Sequence, residues 1–210
     1  MKGKTQVYYE IDKCLMNDTK PSFYLKNMLK KSIFTEYPFS MLSSLVKIQQ
    51  SPSHHPEGNV WNHTMLVIDK AAERKYKSKD PRILMWAALL HDIGKTPATK
   101  IRKGKITAYD HDRIGGELTR KFLRVFTKDE VFISKTAAMV RWHMQILYVT
   151  KGLPFANIKD MLKQVPLEEI VLLSLCDRLG RGEMEEGMIR EEEKNVKLFA
   201  EICKSFLSRN

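Results

Sequence analysis

The stretch WAALLHDIGKTP, residues 86–97, determines how the rest of the sequence is interpreted. An apolar helical run ends there in His91 and Asp92, and Gly94 and Lys95 follow. Unpaired polar groups in a protein core are costly or shift their pKa. An adjacent imidazole and carboxylate at the buried end of a helix therefore need joint compensation. A divalent cation provides it, because it binds neutral nitrogen and ionised oxygen ligands together.

The composition is that of a soluble globular chain. The 210 residues predict one sizeable domain, or a domain with a small appendage, and 43% hydrophobic content is typical of such a chain. No apolar run reaches the length of a membrane span, and residues 1–12 lack the apolar core of a signal peptide. Cys14, Cys176 and Cys203 form no CxxC pair, which argues against a disulfide framework or a thiolate zinc site. We therefore expect a cytoplasmic protein with no membrane partner.

The chain is strongly basic. Its 36 Lys and Arg residues against 25 Asp and Glu give a formal charge of +11, which attracts anions such as nucleotides and nucleic acids. The basic residues cluster in three segments, Lys20–Lys31, Lys95–Lys105 and Arg113–Arg124. This clustering favours a specific anionic partner, and a basic solvated surface is the alternative.

The hydrophobic pattern predicts an all-α fold without a convincing sheet. Asn59 and Asp80 are predicted helix caps, and the helix after Asp80 is apolar nearly all round, so it should lie at the centre of the bundle. The segment around Gly104 predicts a short hairpin or an ordered loop, and Gly115-Gly116 predicts close helix packing. The predicted helices are Pro21–Lys31, Trp61–Tyr76, Arg82–Ile93, His111–Phe126, Asp129–His143, Leu153–Lys163, Leu167–Leu179 and Glu183–Leu207.

Further metal-ligand candidates lie on other predicted helices. Asp177 ends a second apolar helix, and His63, His111 and His143 lie within or at the start of three more. Each histidine taken alone is more simply a satisfied core or solvated residue. Two acids at the ends of core helices together with several histidines predict a mixed nitrogen and oxygen site, which suits iron, manganese, cobalt, nickel, zinc or magnesium.

The order His63, His91-Asp92, Asp177 resembles the signature of the HD superfamily of metal-dependent phosphohydrolases. The resemblance implies a helical bundle with a core metal site, in which these four residues bind the first metal ion and Asp92 is able to bridge. His111, in the segment HDRIGGELTRKFL, and His143 match the family positions that support a second ion. Whether these two histidines complete a two-metal site or hold water and substrate is left open.

The segment HHPEGNVWNHTMLVIDKAA narrows the resemblance to the HD region of bacterial CCA-adding tRNA nucleotidyltransferases. The match covers roughly residues 20–182, and the polymerase-type G-S/G-D-x-D motif is absent from the sequence. We therefore expect a free-standing HD protein and do not carry nucleotide addition over. The expected organisation is an N-terminal helical extension (1–50) packed on the core, an HD metal-binding core (51–182) and a C-terminal helix (183–210).

The resemblance also implies a mechanism in which a metal-activated water attacks phosphorus. Asp92 and Lys95 are the expected catalytic residues. Lys95 follows His91 by four residues, so a continued helical turn would bring it to the same side as a phosphate-binding cation or leaving-group acid. A solvated lysine is the alternative. Further candidates for phosphate contact, each with a surface ion pair as the alternative, are Arg113, Arg178 and Arg181.

The loop before His63 is a further expected part of the site. Glu57 and Asn59 are candidates to line its mouth, and His54 and His55 are expected to be loop residues.

The expected function is hydrolysis of a phosphomonoester or phosphodiester of a nucleotide or RNA end. The resemblance favours 2′,3′-cyclic phosphodiesterase, nucleotidase or phosphatase activity with one or two divalent ions. A dinucleoside polyphosphate or a deoxynucleotide is an alternative substrate for the same ligands. The alternative from another class is a basic RNA- or tRNA-binding module with a structural metal and no turnover, which predicts salt-sensitive RNA binding.

Overall fold

A computed structural model describes residues 3–209, so Met1, Lys2 and Asn210, at the ends of the expected terminal segments, lie outside the described residues. The described chain is a bundle of helices with one small β-hairpin, which confirms the all-α class. The elements are α1 (Lys4–Asn17), α2 (Pro21–Met28), α3 (Ser40–Ser43), α4 (Val60–Ala72), α5 (Pro81–Leu90), α6 (Lys95–Ala98), β1 (Lys100–Arg102), β2 (Lys105–Thr107), α7 (His111–Arg124), α8 (Glu130–Trp142), α9 (Gln145–Thr150), α10 (Ile158–Gln164), α11 (Leu167–Leu179) and α12 (Glu186–Leu207).

Helix α5 lies at the centre of the bundle, as its sequence predicts. All its side chains from Ile83 to Leu90 are buried, and it packs against α1, α4, α8 and α11. Because apolar residues cover its whole circumference, the helix gains burial only when other helices surround it. The end of α5 therefore delivers His91 and Asp92 to the interior, where both are buried.

Local capping sets the start of the helices that carry the site. The Asn59 side chain accepts a hydrogen bond from the backbone N–H of Asn62 at the start of α4. The Asp80 side chain accepts one from Ile83, and Pro81 occupies the first helical position of α5. Both predicted caps are confirmed. They satisfy backbone donors that a helix start leaves without partners.

The turn after α5 corrects the predicted helix Arg82–Ile93, because α5 ends at Leu90. Residues 91–94 form a tight turn that leads into the short helix α6. An added β-carbon at Gly94 would overlap the carbonyl oxygen of His111, so the glycine allows α7 to pack directly on this turn. Close packing also explains Gly116, where a β-carbon would lie 3.2 Å from the Ala137 carbonyl oxygen in α8.

Other differences from the prediction lie at helix ends and in four helices absent from the predicted set, α1, α3, α6 and α9. Helix α4 ends at Ala72, where the prediction extended to Tyr76, and a separate 3-10 turn covers Lys75–Lys77. Helix α9 was not predicted, and α10 begins at Ile158 rather than Leu153. The six residues of α9 are too few to give a clear helical period.

The segment around Gly104 forms a β-hairpin, which is one of its two predicted alternatives. The expectation that the fold has no sheet was therefore wrong for this segment. Strands β1 and β2 are antiparallel, with Ile101 opposite Ile106. The two turn residues, Lys103 and Gly104, have φ angles of 48° and 73°. Positive φ at both positions is the geometry of the two-residue turn that matches the twist of antiparallel strands.

Helix α1 packs on the central helix through aromatic and polar contacts. The Tyr8 ring stacks on Trp86 with a centroid distance of 5.0 Å. The Trp86 Nε1 and the Arg82 Nε both donate to Asp12 Oδ1, at 2.6 Å and 2.8 Å.

The division of the chain at residues 50 and 182 stays a prediction. None of the helices within residues 3–209 is both long and apolar enough to cross a bilayer.

Candidate metal centre

Six titratable side chains from five parts of the chain meet in the interior. They come from α4, the turn after α5, the first residue of α7, the residue after α8 and the last turn of α11. All are buried, with at most 7% of any residue exposed. They are His63, His91, Asp92, His111, His143 and Asp177.

Each of the four histidine rings is oriented by a backbone carbonyl that faces its Nδ1. A carbonyl oxygen only accepts hydrogen bonds, so Nδ1 carries the proton in every ring and donates it. In the neutral tautomer the Nε2 atom then has a free lone pair, and outer hydrogen bonds of this kind typically orient metal-binding histidines. The Nδ1 to oxygen distances are 3.0 Å for His63 to Gly180, 2.8 Å for His91 to Ala88, 2.6 Å for His111 to Ala108 and 2.6 Å for His143 to Val140.

The four Nε2 atoms surround the carboxylate of Asp92 in two pairs. Asp92 Oδ2 lies 3.3 Å from His91 Nε2 and 3.9 Å from His63 Nε2. Asp92 Oδ1 lies 3.4 Å from His111 Nε2 and 3.7 Å from His143 Nε2. One carboxylate thus offers a separate oxygen to each pair of histidines, which is the arrangement of a bridging ligand.

Potential metal-ligand atoms face each other across this cluster. His111 Nε2 and His143 Nε2 are 3.3 Å apart, and His63 Nε2 lies 3.0 Å from Asp177 Oδ1. His91 Nε2 is buried and has no hydrogen-bond partner within residues 3–209. Opposed acceptors repel in a low-dielectric interior unless positive charge lies between them. The donor set therefore fits a cation.

The pKa shifts of His111, His143 and Asp92 favour the protonation states that a cation needs. Burial lowers the pKa of His111 and, helped by the nearby histidines, lowers that of His143 to about 4, which keeps both rings neutral. Burial alone would raise the pKa of Asp92, but the charges of Lys95 and His91 outweigh it and hold the pKa well below its ordinary value. Neutral imidazole and ionised carboxylate are the ligand forms of these groups.

The pKa shifts of His63 and Asp177 also indicate that positive charge is favourable in this part of the cluster. Burial raises the pKa of Asp177, but the hydrogen bond to His63 outweighs it and holds the pKa well below its ordinary value. Burial lowers the pKa of His63, but hydrogen bonds to Asp177 and Glu57 outweigh it and raise the pKa to about 9. A positive charge between the two side chains is therefore favourable.

Three groups of three residues could each hold an ion: one is His55, Glu57 and His63, and the other two contain Asp92. The ligand atoms of His63, His91 and Asp92 lie within 4.8 Å of one another, and so do those of Asp92, His111 and His143. Asp177 adjoins the first group through its contact with His63. Imidazole and carboxylate ligands without thiolate suit iron, manganese, cobalt, nickel, zinc or magnesium.

Lys95 lies at the border between the cluster and an open cavity. Its Nζ is 2.7 Å from Asp92 Oδ2 and donates to Gln50 Oε1 at 2.6 Å. Lys95 and His111 line a cavity of about 720 Å³, as do the loop residues His54 and His55. A cavity of this size accommodates a nucleotide-sized ligand.

The three arginines expected at the phosphate make other contacts. Arg178 and Arg181 lie 3.4 Å and 3.7 Å from Glu192 in α12. Arg113 lines a separate cavity of about 200 Å³. The large cavity has none of the three in its lining, and their role in phosphate binding stays a prediction.

The structure adds two polar residues behind the expected set. Glu57 Oε1 lies 2.8 Å from Nδ1 of both His55 and His63, and Gln50 holds Lys95 as described. Glu57 had been expected only at the mouth, and Asn59 serves as a helix cap. Gln50 contacts a residue 45 positions away in the sequence, so no local pattern could have indicated that contact.

Comparison with known proteins identifies the family. The HD domain matches residues 60–182, more than half of the chain. A multifunctional CCA protein of Halorhodospira halophila is 28% identical over 149 residues, which cover 67% of this chain and 34% of that protein. An A-adding tRNA nucleotidyltransferase of Deinococcus radiodurans is 40% identical over 100 residues, covering 46% and 22%. The chain thus spans about a third or less of the length of these curated relatives.

The matched range contains all six clustered histidines and aspartates, and the relatives are those that the sequence resembles. This chain belongs to the HD domain family.

Proposed function

We propose that the protein is a metal-dependent phosphohydrolase acting on a phosphomonoester or phosphodiester of a nucleotide or RNA end. The observation that carries the proposal is the convergence of four histidine Nε2 atoms on Asp92 beside an open cavity. In the proposal His63, His91, Asp92 and Asp177 hold one divalent ion. His111 and His143 would hold a second ion, to which Asp92 would also contribute.

A divalent ion in such a site lowers the pKa of water and neutralises charge on a phosphoryl group. The protein contributes the positions of the groups around it. In our proposal Asp92 keeps its charge because Lys95 and the histidines favour the ionised form, and it fixes the two halves of the site relative to each other. The backbone carbonyls hold the imidazole rings so that binding needs no rearrangement.

Lys95 is the proposed phosphate-binding residue and a candidate proton donor to the leaving group. Its ammonium has three donors, and two of its directions are taken by Asp92 and Gln50. The third is available to an oxyanion in the cavity that Lys95 lines. Gln50 would act as a positioning residue that prevents the lysine side chain from collapsing fully onto Asp92.

The relatives support the proposed substrate class. Those compared above are described as CCA or tRNA nucleotidyltransferase proteins, which makes an RNA end or tRNA a reasonable partner. The family resemblance favours 2′,3′-cyclic phosphodiesterase, nucleotidase or phosphatase chemistry. We also propose a cytoplasmic location, in keeping with three free, buried cysteines.

The test begins with purified protein that has been stripped by a chelator and reloaded with manganese, iron, cobalt, nickel, zinc or magnesium. Release of phosphate or opening of the ring is measured on 2′,3′-cyclic AMP, 2′-AMP, 3′-AMP and p-nitrophenyl phosphate. We expect metal-dependent turnover that Asp92→Ala and Asp177→Ala abolish. The control Glu193→Ala changes an exposed carboxylate on α12 and should retain turnover.

Turnover that is independent of metal, or equal in Asp92→Ala and the unaltered protein, would contradict the proposal. Bound metal without turnover on any of these substrates, together with salt-sensitive RNA binding, would favour the binding-module alternative.

A further inference from the structure

The β1–β2 hairpin presents positive charge without local compensation. Lys100, Arg102, Lys103 and Lys105 are exposed, and none of them forms an ion pair with another residue in the range 3–209. No acidic residue occurs in the sequence from 93 to 109. The hairpin is therefore a cationic edge, and Arg102 connects it to the large cavity by lining that cavity.

The register of the hairpin places like charges opposite each other. Arg102 pairs directly with Lys105 across the two strands, and Lys100 is on the same face as Arg102 because side chains alternate along a strand. Directly opposed like charges destabilise a two-stranded sheet. An anion bound over this face would relieve that repulsion.

Two exposed aromatic rings stand at the same cavity. Tyr109 is 60% exposed and Phe155 is 62% exposed, and both line the cavity. The Arg102 guanidinium lies 5.0 Å from the Tyr109 ring centroid, and Tyr148 meets Phe155 edge-on with centroids 5.6 Å apart. Exposed aromatic faces interleaved with cations are the combination that binds unpaired bases and their phosphates.

The inner wall of the cavity has an unused hydrogen-bond donor. Gln50 lines the cavity and is only 6% exposed, and its Nε2 has no hydrogen-bond partner among the residues described. A buried amide donor without a partner costs stability, which a ligand acceptor such as a base carbonyl or a phosphate oxygen would recover. One carboxylate, that of Asp110, also lines the cavity, and Asp110 directly follows Tyr109 in the sequence.

We infer that the cavity and hairpin together bind the unpaired end of a polynucleotide, with its terminal nucleotide in the cavity. The preceding phosphates lie on the hairpin, and bases stack on Tyr109 and Phe155. This inference rests on the proposed function for the reaction and adds the substrate class. A mononucleotide would leave Lys103 and Lys105 unused, because these residues lie outside the cavity lining. A duplex would leave the aromatic faces unused.

The test compares one scissile phosphate in two settings: at the 3′ end of a short unpaired oligoribonucleotide and on the mononucleotide. Lys100→Gln, Lys103→Gln and Lys105→Gln are combined in one variant. The matched control combines Lys194→Gln, Lys197→Gln and Lys204→Gln on α12, which are exposed and lie outside the cavity lining. We expect the hairpin variant to reduce the ratio of kcat/KM for oligonucleotide over mononucleotide about tenfold or more, since each lost phosphate contact weakens binding.

Binding is measured separately by fluorescence anisotropy at several salt concentrations. Loss of three phosphate contacts should make the log–log salt dependence shallower by about 2 in the hairpin variant alone. A second variant, Tyr109→Leu with Phe155→Leu, should weaken oligonucleotide binding about fivefold or more with the salt dependence retained. Ribo- and deoxyribo-oligonucleotides of one sequence distinguish RNA from DNA as the source of the end.

Equal kcat/KM for oligonucleotide and mononucleotide in the unaltered protein would overturn the inference and leave the proposed function intact. Equal losses of the oligonucleotide-to-mononucleotide kcat/KM ratio in the hairpin and α12 variants would also overturn the inference. Equal affinity for duplex and for unpaired oligonucleotide would do the same. Absence of turnover on both substrates would overturn the proposed function instead. The anisotropy series would then still decide whether the hairpin binds unpaired polynucleotide.

Discussion

The two halves of the cluster around Asp92 differ in charge. The half formed by α4, the turn after α5 and α11 combines His63 and His91 with a second carboxylate, Asp177. The half formed by α7 and α8 offers the neutral rings of His111 and His143 and only the shared Asp92. Since carboxylates supply most of the attraction for a divalent cation, we expect the first half to bind the tighter ion. If Asp92 bridges as proposed, one residue joins two sites of unequal strength.

The largest effect should follow removal of the shared carboxylate. Asp92→Asn replaces a bridging anion with a neutral amide, so both halves lose charge and the metal content of purified protein should fall to near zero. The measurement is metal analysis by mass spectrometry alongside circular dichroism, which verifies that the variant is folded. Full metal content in folded Asp92→Asn protein would show that the halves do not depend on Asp92.

Lys95 should have the next largest effect, and on catalysis rather than metal content. Lys95→Met keeps the length of the side chain but removes the ammonium beside Asp92 and the cavity. Losing one charged donor to the reacting group should lower kcat about a hundredfold. Steady-state kinetics on metal-loaded protein would measure this. An unchanged kcat would exclude Lys95 from the reaction.

A pair of variants tests the expected difference in metal affinity between the two halves. His63→Ala weakens the half with two carboxylates, whereas His143→Ala weakens the half with only Asp92. We expect His143→Ala to retain the tighter ion and lose the weaker one, and His63→Ala to retain less metal in total. Isothermal titration of stripped protein with manganese gives both stoichiometries. Identical titrations for the two variants would contradict the assigned inequality.

Glu57 should have the smallest effect. Its carboxylate lies 2.8 Å from His63 Nδ1, and the Gly180 carbonyl lies 3.0 Å from the same atom. In Glu57→Gln the ring keeps its orientation through Gly180 but becomes less basic, so affinity for the first ion should fall about tenfold. Glu191→Gln, an exposed change on α12, is the control. A loss in both variants would indicate a general effect of charge.

Much of the fold was predictable because its signals are local. The apolar run of α5, the caps Asn59 and Asp80 and the helix Leu167–Leu179 follow from residues close in sequence. Helix α9 was not predictable. Its buried Gln145 accepts from the Asn157 backbone and donates to the Phe155 carbonyl, so the position of this helix depends on a loop about ten residues away.

The hydrogen bonds that orient the histidine rings are likewise partly local and partly tertiary. Three of them donate from Nδ1 to the carbonyl three residues earlier, a contact that the local backbone alone creates. The fourth ring, His63, donates to Gly180, which is 117 residues away.

By itself the sequence determined the helical class, the buried position of His91 and Asp92 and the donor types available for a metal, because periodicity and residue chemistry are properties of short segments. Only the tertiary structure decided that His63 meets Asp177, that each oxygen of Asp92 faces a different pair of rings and that Lys95 borders the cavity. It also directed Arg178 and Arg181 toward Glu192. The physical reason is that these contacts depend on how the helices pack, which no single segment specifies.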